Sequence, residues 1–255
     1  MIFQKGCKDA GPGGRESVFL FLSTLYVYYF TTPSRTESSV GRPAKFTREQ
    51  LQQAALALVD ADGLSGLTMR ALASRLETGA MTLYNYVSQR EELEMLVVEA
   101  VLGKVRWEVD SHQPWHEALE DIAIALWRVI RDHPHVIPLI LTKRSRSPAV
   151  FEVTEALLHT LAQSGRSGAR LLVGFRAVSA LIMGAAQAEL AGPLTLQADE
   201  SPDDTIARFQ ALPPDRFPHL IEIATAATAS DAETEFRASL SLLIDGLRAD
   251  AAPQA

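Results

Sequence analysis

The sequence predicts an all-α chain, and three observations carry that reading. From Phe46 onward apolar residues recur with a helical period. No convincing run of alternating apolar and polar residues marks a strand. Helix start and stop signals divide the chain into segments of helical length. The expected architecture is a small N-terminal bundle of three short helices followed by a larger, wholly helical second domain.

With 255 residues and 47% hydrophobic content, the chain can bury a sizeable core without covalent staples. Cys7 is the only cysteine, so an internal disulfide and paired-thiolate metal sites are excluded, which fits a reducing cytoplasm. The net charge of -7 argues against indiscriminate polyanion binding. Between Gly41 and Arg90, however, the bases Arg42, Lys45, Arg48, Arg70, Arg75 and Arg90 outnumber the acids, so any basic face lies there.

Residues 1–39 read differently from the rest. An apolar run from Val18 to Phe30 is too short for a membrane span of roughly 20 residues. It is followed by Thr31-Thr32-Pro33-Ser34-Arg35, which offers no small-x-small cleavage site. The leader is expected to be a poorly ordered extension or an over-extended start whose true beginning lies near Val40.

Thr47 with Gln50 forms a capping-box pattern, and Leu51, Ala54, Ala55 and Leu58 make the stripe of a first helix, Arg48 to Ala61, that ends at Gly63 in a left-handed cap. Thr68 caps a short second helix carrying Leu72, Ala73 and Leu76. A break at Glu77-Thr78-Gly79 precedes a third helix from Ala80 to about Tyr86. Ser88, with Glu91 three positions on, is expected to cap a fourth. A polar linker, Asp110 to Gln113, leads into helices expected at Trp115–Arg131, Val136–Leu141, Pro148–Gln163, Ala169–Leu190, Phe217–Thr228 and Asp231–Arg248. Gly192 to Pro214, rich in Pro and Asp, is expected to be a long loop or partly disordered. The domains are thus a leader 1–39, a reading head 40–109, a helical domain 114–249 and a tail 250–255.

Thr68 to Val87 places two helices too short to be stable alone on either side of a tight turn, which is the arrangement of a helix-turn-helix that braces across DNA and enters the major groove. Thr68, Arg70, Thr82, Tyr84, Tyr86 and Arg90 are placed to converge on phosphates at the groove walls. Leu67, Leu72, Leu76, Leu83 and Val87 are core by the same spacing.

In Gly66-Leu67-Thr68-x-Arg70-x-Leu72-Ala73, Thr82-Leu83-Tyr84-x-Tyr86-Val87 and Glu91-Glu92-Leu93, the chain resembles the tetracycline-repressor (TetR) family of bacterial regulators. The resemblance implies that Thr68, Tyr84 and Arg90 contact phosphates, that Arg70 reaches a base edge, and that Gly79, Ala80, Met81, Thr82 and Asn85 face the groove. It further implies a homodimer on double-stranded, pseudo-palindromic operator DNA, with operator binding modulated by a small-molecule effector. The chain departs from the family at Glu77 and Thr78, where a glycine and an apolar residue are usual. A left-handed turn built on Glu77 costs about 1 kcal/mol or more.

In the second domain, Gly174, Ala177, Ala180, Gly184 and Ala188 allow another helix to approach closely, and Phe236, Leu240, Leu243, Ile244 and Leu247 form an apolar stripe on the last helix. The resemblance pairs these two helices with their copies in a dimer. Trp127, His135, His159, Phe175, Arg176, Met183 and Gln187 are the candidate effector contacts. His112 and His116 have helical metal-ligand spacing, but Pro114 breaks the helix they need, so neither metal nor cofactor is expected. No nucleophile elbow, phosphate loop, Cys/His pair or paired-carboxylate motif is present, which leaves an all-helical enzyme as a rival without a motif. A protein-interaction module that has lost DNA binding is the other rival, motivated by the negative charge and Glu77.

Overall fold

The computed structural model describes residues 45–108, 112–142, 148–191, 202–227 and 231–251, and among these the regular elements are helical. The reading of the leader falls outside them. Helix α1 spans Arg48–Gly66, α2 Met69–Arg75, α3 Ala80–Leu83 and α4 Arg90–Leu102. After α5, Trp115–Arg131, a 3-10 turn at Pro134–Val136 runs into α6, Ile137–Thr142. Then follow α7 (Pro148–Ala162), α8 (Gly168–Ala191), α9 (Pro202–Gln210), α10 (Pro218–Ala227) and α11 (Ala232–Ala251).

The capping box at the start of α1 is present in both directions: Gln50 N–H donates to Thr47 Oγ1 at 3.2 Å and Thr47 N–H to Gln50 Oε1 at 2.9 Å. Gly63, at φ 66° and ψ -172°, breaks the regular backbone of α1 near the expected end, and one further turn reaches Gly66. The start of α4 differs from expectation by one residue. Gln89 is its N-cap, and Glu92 rather than Glu91 reaches back, accepting from Ser88 N at 2.6 Å and Ser88 Oγ at 3.1 Å. Those donors, the backbone N–H first, hold the Glu92 carboxyl below the usual carboxylate range.

The segment from Gly192 to Pro214 is corrected in part: α9 occupies Pro202–Gln210. Proline at the first helical position and Asp203 and Asp204 in the first turn are helix-starting features as much as loop features.

Burial follows the apolar stripes. Helix α5 buries Leu119, Ile122, Ala123, Leu126, Trp127 and Ile130 along one face, against α7, α8 and α11. Trp127 stacks on Phe236 of α11 with ring centroids 4.9 Å apart and planes 7° from parallel, a contact that adds about 0.5 to 1.5 kcal/mol to burial. Helix α4 packs on α1 on one side and on α5 and α7 on the other, so one apolar core runs from Leu51 to Leu247.

Candidate nucleic-acid interface and effector region

The turn between α2 and α3 is built as a Schellman motif. Thr78 N–H donates to Ala73 O at 2.9 Å and Glu77 N–H to Ser74 O at 3.1 Å, with Glu77 itself left-handed at φ 49°. Leu72, Ala73, Leu83 and Val87 are buried beneath it, so the core holds the turn left-handed although no glycine is there. Helix α3 is a single α-turn. Beyond Leu83 the chain continues to Val87 in tighter turns, short of the helix to Tyr86 that the sequence predicts.

The residues of this face fall into two groups. Arg70, Met81, Tyr84 and Asn85 are exposed, and Arg70 has no ion-pair or hydrogen-bond partner among the described residues. Thr82 and Ala80 are half-buried beside them. Thr68 is exposed and caps α2, its Oγ1 accepting from Ala71 N–H at 3.1 Å, which leaves its own O–H available to a phosphate. Gly79 is the N-cap of α3, and a Cβ built there meets nothing within 4 Å, so the backbone beside it is open.

The second group is engaged in contacts within the protein. The Tyr86 hydroxyl accepts from Phe46 N–H at 3.3 Å and its ring stands edge-on to Phe46, with centroids 6.1 Å apart. Arg90 donates from Nε to Glu94 at 2.9 Å, from Nη1 to Leu67 O at 3.1 Å and from Nη2 to Leu64 O at 3.2 Å. Its guanidinium therefore clamps the α1–α2 junction against α4. Arg48 is engaged in the same way, in a bidentate pair with Glu99 that Gln52 joins at 2.8 Å. Glu94 and Glu99 are buried carboxylates in the otherwise apolar run of α4, and their presence in that run is the signal by which these pairs can be found.

A second polar junction joins the head to the rest of the chain. Lys104 Nζ donates to His133 Nε2 at 2.9 Å, and His133 Nδ1 faces Asp60 at 3.0 Å. His135 Nδ1 meets Val59 O at 3.1 Å. His135, a candidate effector contact, thus sits against the backbone of α1.

The other candidates are separated by helical phase. Trp127 is buried, Phe175 and Met183 are half-buried, and His159, Arg176 and Gln187 are exposed. The His159 ring meets Nε2 of Gln163, just past the end of α7, at 3.2 Å. Trp127 Nε1 is buried with no acceptor among the described residues, while Arg131 lies over the indole at 5.1 Å from its centroid. Among the described residues no group of three His, Cys, Asp or Glu side chains is arranged to hold a metal ion.

An exposed helix-turn-helix, braced by α1 and α4 and continuous with a larger helical domain, defines a DNA-binding transcriptional regulator. The family model described as tetracyclin repressor-like, C-terminal domain, matches residues 110–251. An HTH-type transcriptional regulator of Saccharopolyspora erythraea is 33% identical over 173 residues, covering 62% of this chain and 73% of the relative. The class E tetracycline repressor protein of Escherichia coli is 30% identical over 150 residues, covering 58% and 71%. Among solved structures, the TetR family protein ActR of Streptomyces coelicolor in complex with actinorhodin superposes with a TM-score of 0.68 at 28% identity, covering 82% of this chain and 99% of that one. The chain belongs to the tetracycline-repressor family.

Proposed function

We propose that this chain is a cytoplasmic repressor that binds a pseudo-palindromic operator as a homodimer and releases it when a small molecule enters its helical domain. The exposed face of α2 and α3 carries the reading. Arg70, Thr82, Tyr84 and Asn85 present donors on a scaffold whose apolar residues Leu72, Ala73, Leu83 and Val87 are buried and Met69, Ala71, Leu76 and Ala80 half-buried, with Met81 exposed. The relatives are transcriptional regulators, and regulation rather than catalysis is the role proposed for this chain. The division of labour follows the sequence, with residues 40–109 as reading head and 114–249 as effector and dimerisation domain.

The effector is a mainly apolar molecule with a hydrogen-bond acceptor, which the buried Trp127 N–H lacks among the described residues. ActR binds actinorhodin, and that compound is the first to test here.

The deciding experiment is a set of binding titrations on operator and scrambled duplexes at several salt concentrations. Tyr84→Phe removes one hydroxyl from a phosphate and should weaken binding to all sequences alike, by about 0.5 to 3 kcal/mol, with sequence preference intact. Arg70→Ala should relax preference at one base pair per half-site, by about 1 to 3 kcal/mol on the cognate base only. If neither variant alters binding, α3 does not enter the groove.

A further inference from the structure

The start of the reading helix, its N-cap and first two residues, offers the groove no hydrogen-bonding side chain. Gly79, Ala80 and Met81 occupy it, and the nearest polar side chains, Thr82 and Asn85, follow. Met81 is 79% exposed, more than any other large apolar side chain among the described residues. It stands apart from the remaining exposed apolar side chains: Leu172, Val173, Leu220, Ile223 and Leu242 lie on α8, α10 and α11, and Leu141 and Phe151 on α6 and α7. Pairing of α8 and α11 with a second copy therefore does not cover it. A single exposed apolar side chain is ordinary on a protein surface, but Met81 shares its face with the exposed donors Arg70, Tyr84 and Asn85, so a groove that receives those donors also receives an apolar side chain.

The edges of the bases in the major groove present acceptors, donors and a single apolar feature, the C5-methyl group of thymine. Methionine suits it, because an unbranched thioether adapts its shape to a small apolar target and needs no fixed hydrogen-bond geometry. The open backbone at Gly79 allows the turn to approach the base edges without a side chain intervening. We propose that Met81 is a specificity-determining residue that reads the C5-methyl group of one thymine in each half-site. The proposal rests on α3 entering the major groove.

The test removes the methyl group and nothing else. An operator is selected from random duplexes by the full-length protein, and each thymine is replaced in turn by deoxyuridine, which keeps every hydrogen-bonding group. One position per half-site should lose about fourfold in affinity, the factor that corresponds to burial of one methyl group at roughly 0.8 kcal/mol, and about fifteenfold when both half-sites are changed. In Met81→Ala, thymine and deoxyuridine should bind alike at that position, while any other methyl-sensitive position keeps its sensitivity. Because Met81 is exposed, the variant should melt with the wild type, and a circular dichroism melt checks this. If the operator is bound but every methyl-sensitive position is unchanged in Met81→Ala, or none exists, the proposal is overturned and the helix-turn-helix reading stands. If random duplexes yield no selected sequence at all, both fall together.

Discussion

Glu77 and Arg90 show how single side chains set the shape of the reading head. A non-glycine residue at φ 49° costs about 1 to 2 kcal/mol, and here the cost is offset by the buried Leu72, Ala73 and Leu83 on either side of the turn. Glu77→Gly removes the strain, so the protein should gain about 1 kcal/mol in a urea titration, less the extra backbone entropy of glycine in the unfolded chain. Glu77→Ala keeps the strain and should gain nothing comparable. Arg90 was legible in the sequence as a cation at the right place, and Glu94 one helical turn on as a partner, but not in its full orientation, since the Leu64 and Leu67 carbonyls that accept its other hydrogen bonds are brought to it by folding. Its side chain is 52% exposed and Glu94 is 9% exposed, so the pair is only partly desolvated. Arg90→Ala should therefore cost about 1 to 3 kcal/mol in thermal or urea unfolding, below the range for a fully buried pair. If the guanidinium keeps these contacts on DNA, no phosphate contact is lost and the salt slope of operator binding should stay close to that of the wild type. A slope reduced by about one counterion per subunit would show instead that Arg90 turns outward to the DNA.

At the scale of helices, the stripes on α5, α7, α8 and α11 were readable to within one to three residues because tertiary burial and helical period agree there. Helix α9 was hidden because Pro202, Asp203 and Asp204 serve loops and helix starts alike. Wholly invisible was the charge cluster that ties α11 to α5. Glu233 accepts from Arg128 at 2.5 Å and 3.0 Å and from Arg237 at 2.9 Å, and Arg237 also reaches Glu120 at 3.2 Å. Residues 105 positions apart in the chain leave no local pattern to read. Hydrogen bonds from Arg128, then Arg237, lower the Glu233 carboxyl from its ordinary 4.5 to about 2. Because the folded value lies below the unfolded one, the cluster's contribution is complete above pH 4.5 and is lost as pH falls toward 2. Glu233→Gln should therefore be less stable than the wild type near neutral pH, with the two acid-unfolding curves converging as pH approaches 2. Solvent screens this exposed cluster, so the gap should also shrink as salt is raised. Curves that run parallel down to pH 2 would mean that the carboxylate gains nothing from its arginines.

On the scale of the whole molecule, regulation needs a path from the effector domain to the reading heads and a partner that sets the distance between two heads. His133 and His135 provide a physical connection. They follow α5, whose buried face carries Trp127, and they dock on Asp60 and Val59 of α1, the helix on which α2 and α4 are packed. For the partner, α8 and α11 leave Val173 and Leu242 67% and 76% exposed, beside an apolar groove of about 490 Å³ lined by Gly174, Ala177 and Gly246. Gly168–Ala188 is by length and composition apolar enough to cross a membrane, with a mean hydropathy of 1.6. The proposed pairing with a second copy of the same helix would account for that apolarity. Arg166 supports this surface from within. It is buried and donates to Leu247 O and Asp250 near the end of α11, while Arg170 also pairs with Asp250 at 3.0 Å. These contacts fix α11 against the start of α8 before any partner arrives. Leu242→Arg places a cation in the middle of the proposed two-fold contact, where it meets its own copy, but leaves Arg166 and the buried stripe of Phe236, Leu240, Ile244 and Leu247 in place. Light scattering should give the wild type twice the mass of the 27.8 kDa chain and the variant the mass of one, with helix content unchanged. Operator affinity should fall far more than half-site affinity, because a second head tethered through the dimer binds at a high effective concentration and a monomer has none. If Leu242→Arg remains a dimer with full operator affinity, α8 and α11 are not the interface, and the exposed apolar side chains on them need another partner.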